Sequence, residues 1–304
     1  MTGPAGGSAV PAAAPAGAAV APGRTGAGPP PLRGGWFAGV EPADDGAAAL
    51  RLVCFPYAGG AASAFRGWAP HLGGHVQVVP VLPPGRGLRL GEAPYTAMEP
   101  LVHDLADALL GQGLADDYAV FGHSMGALVA YEVCCELRRR GAAGPRHMFV
   151  AASRAPHFYG GGGGALLPAG ELRKVVGDLG GLGPGGGVGD AYLERRLPVL
   201  RADLGMCEGY RWTPREPLDC PMTAFVAGGD PVARPAEVEA WREYAAGSFV
   251  RRDVPGGHFF LLGAARPRLW QEMRRDLARY RAPGAAADTG PLPARRPGPS
   301  TEEH

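Results

Sequence analysis

The stretch Val120-Phe121-Gly122-His123-Ser124-Met125-Gly126-Ala127-Leu128-Val129-Ala130 decides how this chain is read. An apolar run with strand character enters Gly-His-Ser-Met-Gly, and a small-residue stretch with helix character leaves it. That order fits a nucleophile elbow, a tight strand-to-helix turn that lifts a serine hydroxyl above the end of a sheet. Gly122 and Gly126 stand where a side chain would strike the neighbouring strand and helix. Gly-x-Ser-x-Gly alone carries little weight in a chain with 50 glycines among 304 residues. Its flanks make it worth pursuing.

Outward from the elbow, short apolar runs alternate with helical patterns. Strands are expected at 52–55, 76–82, 118–121, 147–151, 223–227 and 249–254, and helices at 62–72, 99–111, 124–140, 235–246 and 265–281. This alternation predicts an α/β fold, a mostly parallel sheet with helices on both faces. Chemistry in such sheets gathers at the carboxyl ends of the strands. The alternation is interrupted between about 156 and 212. There Leu172, Val175, Val176 and Leu179, then Leu193, Leu197, Leu200 and Leu204, follow helical spacing, and glycine-rich stretches occupy 160–164 and 180–189. A helical insertion on flexible joints beside an active-site face reads as a lid, with plain packing helices as the alternative.

Of residues 1–35, 26 are Ala, Gly or Pro, which cannot bury enough surface to offset their ordering entropy. We read 1–35 and the similar stretch 283–304 as disordered, leaving 36–282 as one domain of ordinary size. The net charge of +1 provides no overall field towards nucleic acid or a membrane surface. Lys174 is the sole lysine among 30 basic residues, a bias that suits a GC-rich genome better than an arginine-based function. Cys54, Cys134, Cys135, Cys207 and Cys220 are odd in number and contain no C-x-x-C pair, so buried thiols in a reducing compartment are expected. The N-terminus lacks the charged and apolar regions of a signal peptide, and no apolar run is long enough to span a bilayer. A cytoplasmic protein is expected, a monomer without nucleic-acid or membrane partners.

A serine hydroxyl needs a base, and eight histidines are present. His304 ends the terminal stretch, and His123 points away from the serine in an elbow of this kind. His71, His75, His103, His147 and His157 lack flanking turn signals. His258 lies in Val254-Pro255-Gly256-Gly257-His258-Phe259-Phe260, a glycine-rich loop after the last expected strand, and is our choice of base. The acid that orients it is expected at Asp230, just past the strand in Phe225-Val226-Ala227-Gly228-Gly229-Asp230-Pro231. The alternative position after the preceding strand has no carboxylate within 151–160, while Asp253 falls in a strand and Asp203 and Asp219 belong to the insertion and its exit. Ser124, Asp230, His258 is the chain order of α/β-hydrolases. The tetrahedral oxyanion needs two preorganised amides. Met125 supplies one at a helix start; the second is expected from Phe55-Pro56-Tyr57-Ala58-Gly59-Gly60, at Ala58 or, less favoured, Tyr57. That loop lacks the Gly-Lys-Ser/Thr ending of a phosphate-binding loop. No metal or organic cofactor is needed.

Several further segments resemble one family. They are Arg51-Leu52-Val53-Cys54-Phe55-Pro56-Tyr57-Ala58-Gly59-Gly60, Leu82-Pro83-Pro84-Gly85-Arg86, Gly122-His123-Ser124-Met125-Gly126-Ala127, Leu200-Arg201-Ala202-Asp203, Gly228-Gly229-Asp230-Pro231 and Gly256-Gly257-His258-Phe259-Phe260-Leu261. From about Trp36 to Arg281 the chain resembles the type II, editing, thioesterases of polyketide and nonribosomal peptide synthesis. The resemblance implies an α/β-hydrolase fold with a helical lid, hydrolysing acyl groups from the phosphopantetheine arm of an acyl or peptidyl carrier protein. It implies Ser124 as nucleophile, His258 as base, Asp230 as orienter, and the Ala58 and Met125 amides as oxyanion hole. Leu82-Pro83-Pro84-Gly85-Arg86-Gly87 departs from the family, which often has one proline and an acidic residue after the arginine. Competing readings are a carboxylesterase or lipase on small esters, a perhydrolase or cofactor-free haloperoxidase, and a noncatalytic binding protein on the same fold.

Overall fold

The computed structural model describes residues 35–37, 50–179 and 190–281, without the side chains of 190–194. Of the segments read as disordered, 1–34 and 283–304 lie outside this range. In chain order the elements are β1 (Leu50–Phe55), α1 (Ala69–Leu72), β2 (Val76–Pro80), α2 (Met98–Gly111), β3 (Tyr118–His123), α3 (Met125–Arg139), β4 (Met148–Ala151), α4 (Ala169–Asp178), α5 (Asp190–Gly209), β5 (Met222–Ala227), α6 (Pro235–Glu239), β6 (Phe249–Val254) and α7 (Arg266–Leu277).

The strands form one sheet in the order β2-β1-β3-β4-β5-β6, with every pair parallel. Side chains alternate across it, and from β1 to β5 both sets are largely apolar because both faces are covered, whereas the edge strand β6 carries Arg251, Arg252 and Asp253. Val53, Val120 and Val150 pack on the side of α2 and α3 with Leu105 and Val133, whereas Leu52, Phe121 and Phe149 pack against Leu72 of α1 and Leu269 and Met273 of α7. From β1 the chain first builds outward to β2, then crosses to place β3 on the other side of β1. The sheet therefore reverses its winding between β1 and β3, where a crevice opens at the carboxyl ends of the strands.

Three expected helices are shorter than their apolar patterns. The 62–72 segment is a 3-10 turn (Ala62–Phe65) followed by α1, separated at Gly67, whose φ of 73° is left-handed. The 235–246 and 265–281 patterns finish as 3-10 turns at Ala240–Tyr244 and Ala278–Tyr280. Past β2, Val81 forms an antiparallel bridge with Phe37, and Leu82 N–H donates to Trp36 O at 2.7 Å, so the expected strand ends in a contact with the start of the domain.

The helical insertion lies between β4 and β5 as α4 and α5, preceded by short 3-10 turns at Pro156–Phe158 and Gly164–Leu166. Its second glycine-rich joint and the Leu193 side chain lie outside the described residues. Arg201 of α5 donates to the carbonyls of Ala165 and Leu167, binding the insertion to itself. None of the five cysteines is in a disulfide, and all are buried. Burial pushes the thiols of Cys207 and Cys220 up to about 12, which keeps them protonated and inert. Among the described residues no helix is long and apolar enough to cross a membrane.

Candidate active site

The elbow is built from backbone contact. A Cβ on Gly122 would lie 2.3 Å from Ala127 Cα, and one on Gly126 would lie 2.2 Å from Phe55 O. Only glycine lets α3 start this close to β3 and to the end of β1. Between them Ser124 adopts φ 54°, ψ −122°, a conformation costly for a residue with a side chain. Hydrogen bonds hold it there: Ser124 N–H donates to Ala151 O at 2.8 Å, and Ala127 N–H to Ser124 O at 3.0 Å.

The loops after β5 and β6 reach the same crevice. Gly229 N–H donates to Gly256 O at 3.3 Å, and a Cβ on Gly229 would meet that oxygen at 2.9 Å. This close approach places Asp230 beside His258. Asp230 Oδ1 accepts from the amides of Val232 (2.8 Å) and Ala233 (3.2 Å), which aims Oδ2 at His258 Nδ1, 2.8 Å away. An ionised carboxylate only accepts, so Nδ1 carries the proton. Nε2 is then left as acceptor for the Ser124 hydroxyl at 3.1 Å. Both Asp230 and His258 are buried.

His123 packs edge-on against His258 with ring centroids 5.4 Å apart. Its complete burial holds its pKa well below the usual imidazole range, so it stays neutral beside His258. The remaining described histidines face elsewhere. His71 stacks on Trp270, His75 meets Leu277 O, His103 pairs with Glu136, His147 with Thr223 and His157 with the Tyr244 hydroxyl. The alternative acids are also placed elsewhere. Asp203 pairs with Arg86, Asp253 with Arg251, and Asp219 is exposed.

Met125 opens α3, where first-turn amides have no partner inside the helix. Opposite it, Tyr57-Ala58-Gly59-Gly60 forms a turn closed by Gly60 N–H to Tyr57 O at 2.7 Å. Gly59 has φ 70° and Ala58 is not left-handed, the pattern of a type II turn. A cavity of about 410 Å³ joins this loop to Ser124 and His258, and Leu172, Leu197 and Leu200 of the insertion make its walls apolar. Of the arginines in the insertion, Arg173 and Arg196 line this cavity, and Arg196 donates to Gly59 O. Among the described residues no cluster of His, Cys, Asp or Glu is able to hold a metal ion.

Sequence reasoning gave no role to Arg86 or Asp203. Asp203 Oδ2 accepts from Gly59 N–H and from Arg86 Nη1, each at 2.7 Å, and Oδ1 accepts from Arg86 Nη2 at 2.9 Å. The partners are 117 and 144 positions away along the chain, so only the presence of both residues in the quoted segments pointed to them.

A family model described as a thioesterase domain matches residues 50–277. The gramicidin S biosynthesis protein GrsT of Aneurinibacillus migulanus is 36% identical over 234 residues, 74% of this chain and 88% of that protein. Among solved structures, the RedJ thioesterase of the prodiginine biosynthetic pathway of Streptomyces coelicolor is 61% identical with a TM-score of 0.75, covering 78% of this chain and 94% of RedJ. The type II thioesterase BorB from the borrelidin biosynthetic cluster is 32% identical with a TM-score of 0.66, covering 79% and 96% respectively.

Proposed function

Because this chain belongs to the thioesterase family, we propose that Ser124, His258 and Asp230 are its catalytic triad, acting on acyl groups carried by the phosphopantetheine arm of a carrier protein. It is a hydrolase of the type II group, whose relatives serve polyketide and nonribosomal peptide biosynthesis. The observation that carries the assignment is the continuous relay from Asp230 Oδ2 through both nitrogens of His258 to Ser124 Oγ.

In the first step Ser124 Oγ bonds to the thioester carbonyl carbon as its proton moves to His258 Nε2. The carbonyl oxygen becomes an oxyanion and accepts hydrogen bonds from the Ala58 and Met125 amides. Collapse breaks the C–S bond, and His258 returns the proton to the departing thiol, leaving the acyl group on Ser124. Water then loses a proton to His258 and attacks the ester. Ser124 recovers that proton and the free acid leaves. Asp230 keeps Nδ1 protonated and stabilises the imidazolium in both steps.

The apolar cavity beside Ser124 suits the acyl chain, with α4 and α5 acting as the lid over it. Every group in the scheme comes from one chain, so a monomer suffices. Five buried thiols outside disulfides suit a reducing, cytoplasmic setting.

The test compares hydrolysis of one acyl group presented on carrier protein, on pantetheine and as an alkyl ester. Carrier-bound thioester is expected to be the best substrate, and preference for the alkyl ester would support a general carboxylesterase instead. Asp230→Asn is expected to lower kcat by about 10⁴-fold, as loss of the correct imidazole tautomer does in serine hydrolases.

A further inference from the structure

The loop that holds Ala58 is short, rich in glycine and placed at the rim of a cavity, yet three side chains from elsewhere grip it. Gly59 N–H donates to Asp203 Oδ2, Gly60 O accepts from Arg86 Nη1 at 3.2 Å, and Gly59 O accepts from Arg196. Arg86 and Asp203 are only 3% and 2% exposed, and their bidentate pair is completed by Arg86 Nε donating to Pro84 O at 3.2 Å. A buried ion pair is a weak source of net stability, because desolvation offsets much of the attraction. What this pair does contribute is geometry. In a type II turn the central peptide, here Ala58–Gly59, is the unit whose flip converts the turn to type I. Asp203 holds the N–H of that unit, while the turn's own closing bond holds the carbonyl of the preceding Tyr57–Ala58 unit, which bears the Ala58 N–H.

We infer that Arg86 and Asp203 are positioning residues for the chemical step, a latch that keeps the Ala58 amide aimed at the oxyanion. The inference rests on the reading of Ala58 as an oxyanion donor. Asp203 lies on α5, the helix that also lends Leu197 and Leu200 to the cavity wall. The helix that lines the acyl cavity therefore also sets the backbone that stabilises the transition state. Arg86, from the segment after β2, completes the latch, its Nη1 donating to both Asp203 Oδ2 and Gly60 O.

The test uses the full chain and a short-acyl small-molecule thioester, so that carrier docking plays no part. Asp203→Asn keeps one acceptor near Gly59 but weakens the pairing with Arg86. It is expected to lower kcat by about 10- to 100-fold, less than the 10²–10³ typical of losing an oxyanion donor outright, with KM changed less than about 2-fold. The double variant Arg86→Met/Asp203→Leu replaces the pair by apolar side chains, an exchange that commonly preserves stability. It is expected to melt like the wild type while kcat stays low. Recovery of both would show a structural ion pair and overturn the inference. If Asp203→Asn alone does not fold, the double variant still decides.

A second measurement separates the latch from the reading beneath it. Ala58→Pro removes the amide proton at a turn position that favours proline, and is expected to lower kcat by about 10²–10³-fold. Adding Asp203→Asn to it should then cost less than about 2-fold more, because the group being aimed is already gone. Full multiplication of the two losses would overturn the latch. Wild-type kcat in Ala58→Pro would instead overturn the oxyanion assignment.

Discussion

Two loops meet at the reversal point of the sheet, and they are held in opposite ways. The elbow after β3 is fixed by backbone packing: two glycines four positions apart let it press against the start of α3 and the end of β1, and Ser124 is trapped between them. The turn after β1 is fixed from outside, by Asp203, Arg86 and Arg196 on other segments. The first arrangement is steric and made by backbone, the second electrostatic and made by side chains. A loop of the first kind is placed as soon as the neighbouring strands and helix pack. A loop of the second kind is only as well placed as the helix that grips it.

The largest effect expected on the elbow side is loss of the covalent step. Ser124→Ala should lower kcat by about 10⁶-fold in thioester hydrolysis and leave the melting temperature unchanged, since the backbone of the elbow is untouched. Substantial residual turnover would show that another nucleophile acts.

A pair of glycine substitutions measures the contrast directly. Gly126→Ala forces a methyl to within 2.2 Å of Phe55 O, and roughly 3 kcal/mol or more of stability should be lost in denaturant unfolding. Gly59→Ala meets only Leu200, at 3.4 Å, and should lose about 1–2 kcal/mol for the left-handed backbone alone. Equal losses would break the distinction between the two loops.

The smallest effect expected concerns the insertion. Leu197→Trp enlarges a side chain of the cavity wall, so long acyl chains should slow by about 10-fold relative to acetyl, on the scale of a pocket discriminating by a few methylenes. Uniform slowing of all acyl lengths, measured on matched thioesters, would show that α5 packs without selecting.

Most of the sheet was legible because burial on both faces leaves continuous apolar runs, and the six expected strands match the observed ones to within a few residues. Helix lengths were less legible. In 62–72 the apolar spacing continues across Gly67, but the left-handed backbone there divides the segment, and periodicity does not register a single dihedral. The arginines were read least well. Nothing in the sequence around Arg201 indicates that its guanidinium donates to the carbonyls of Ala165 and Leu167. A long flexible side chain reaches in several directions, and only the packed neighbours choose among them.

By itself the sequence determined the class of fold, the elbow and the order of Ser124, Asp230 and His258, because each is written in spacings of a few residues beside a strand end. Only the tertiary structure decided which partner Asp203 takes. Asp203 and Asp230 are both buried carboxylates, and one faces Arg86 while the other faces His258. That choice depends on how α5 and the loop after β5 settle over the sheet, across separations of 117 and 28 residues. Local sterics leave a mark in the sequence, whereas the pairing of distant charges is set only when the chain has closed around them.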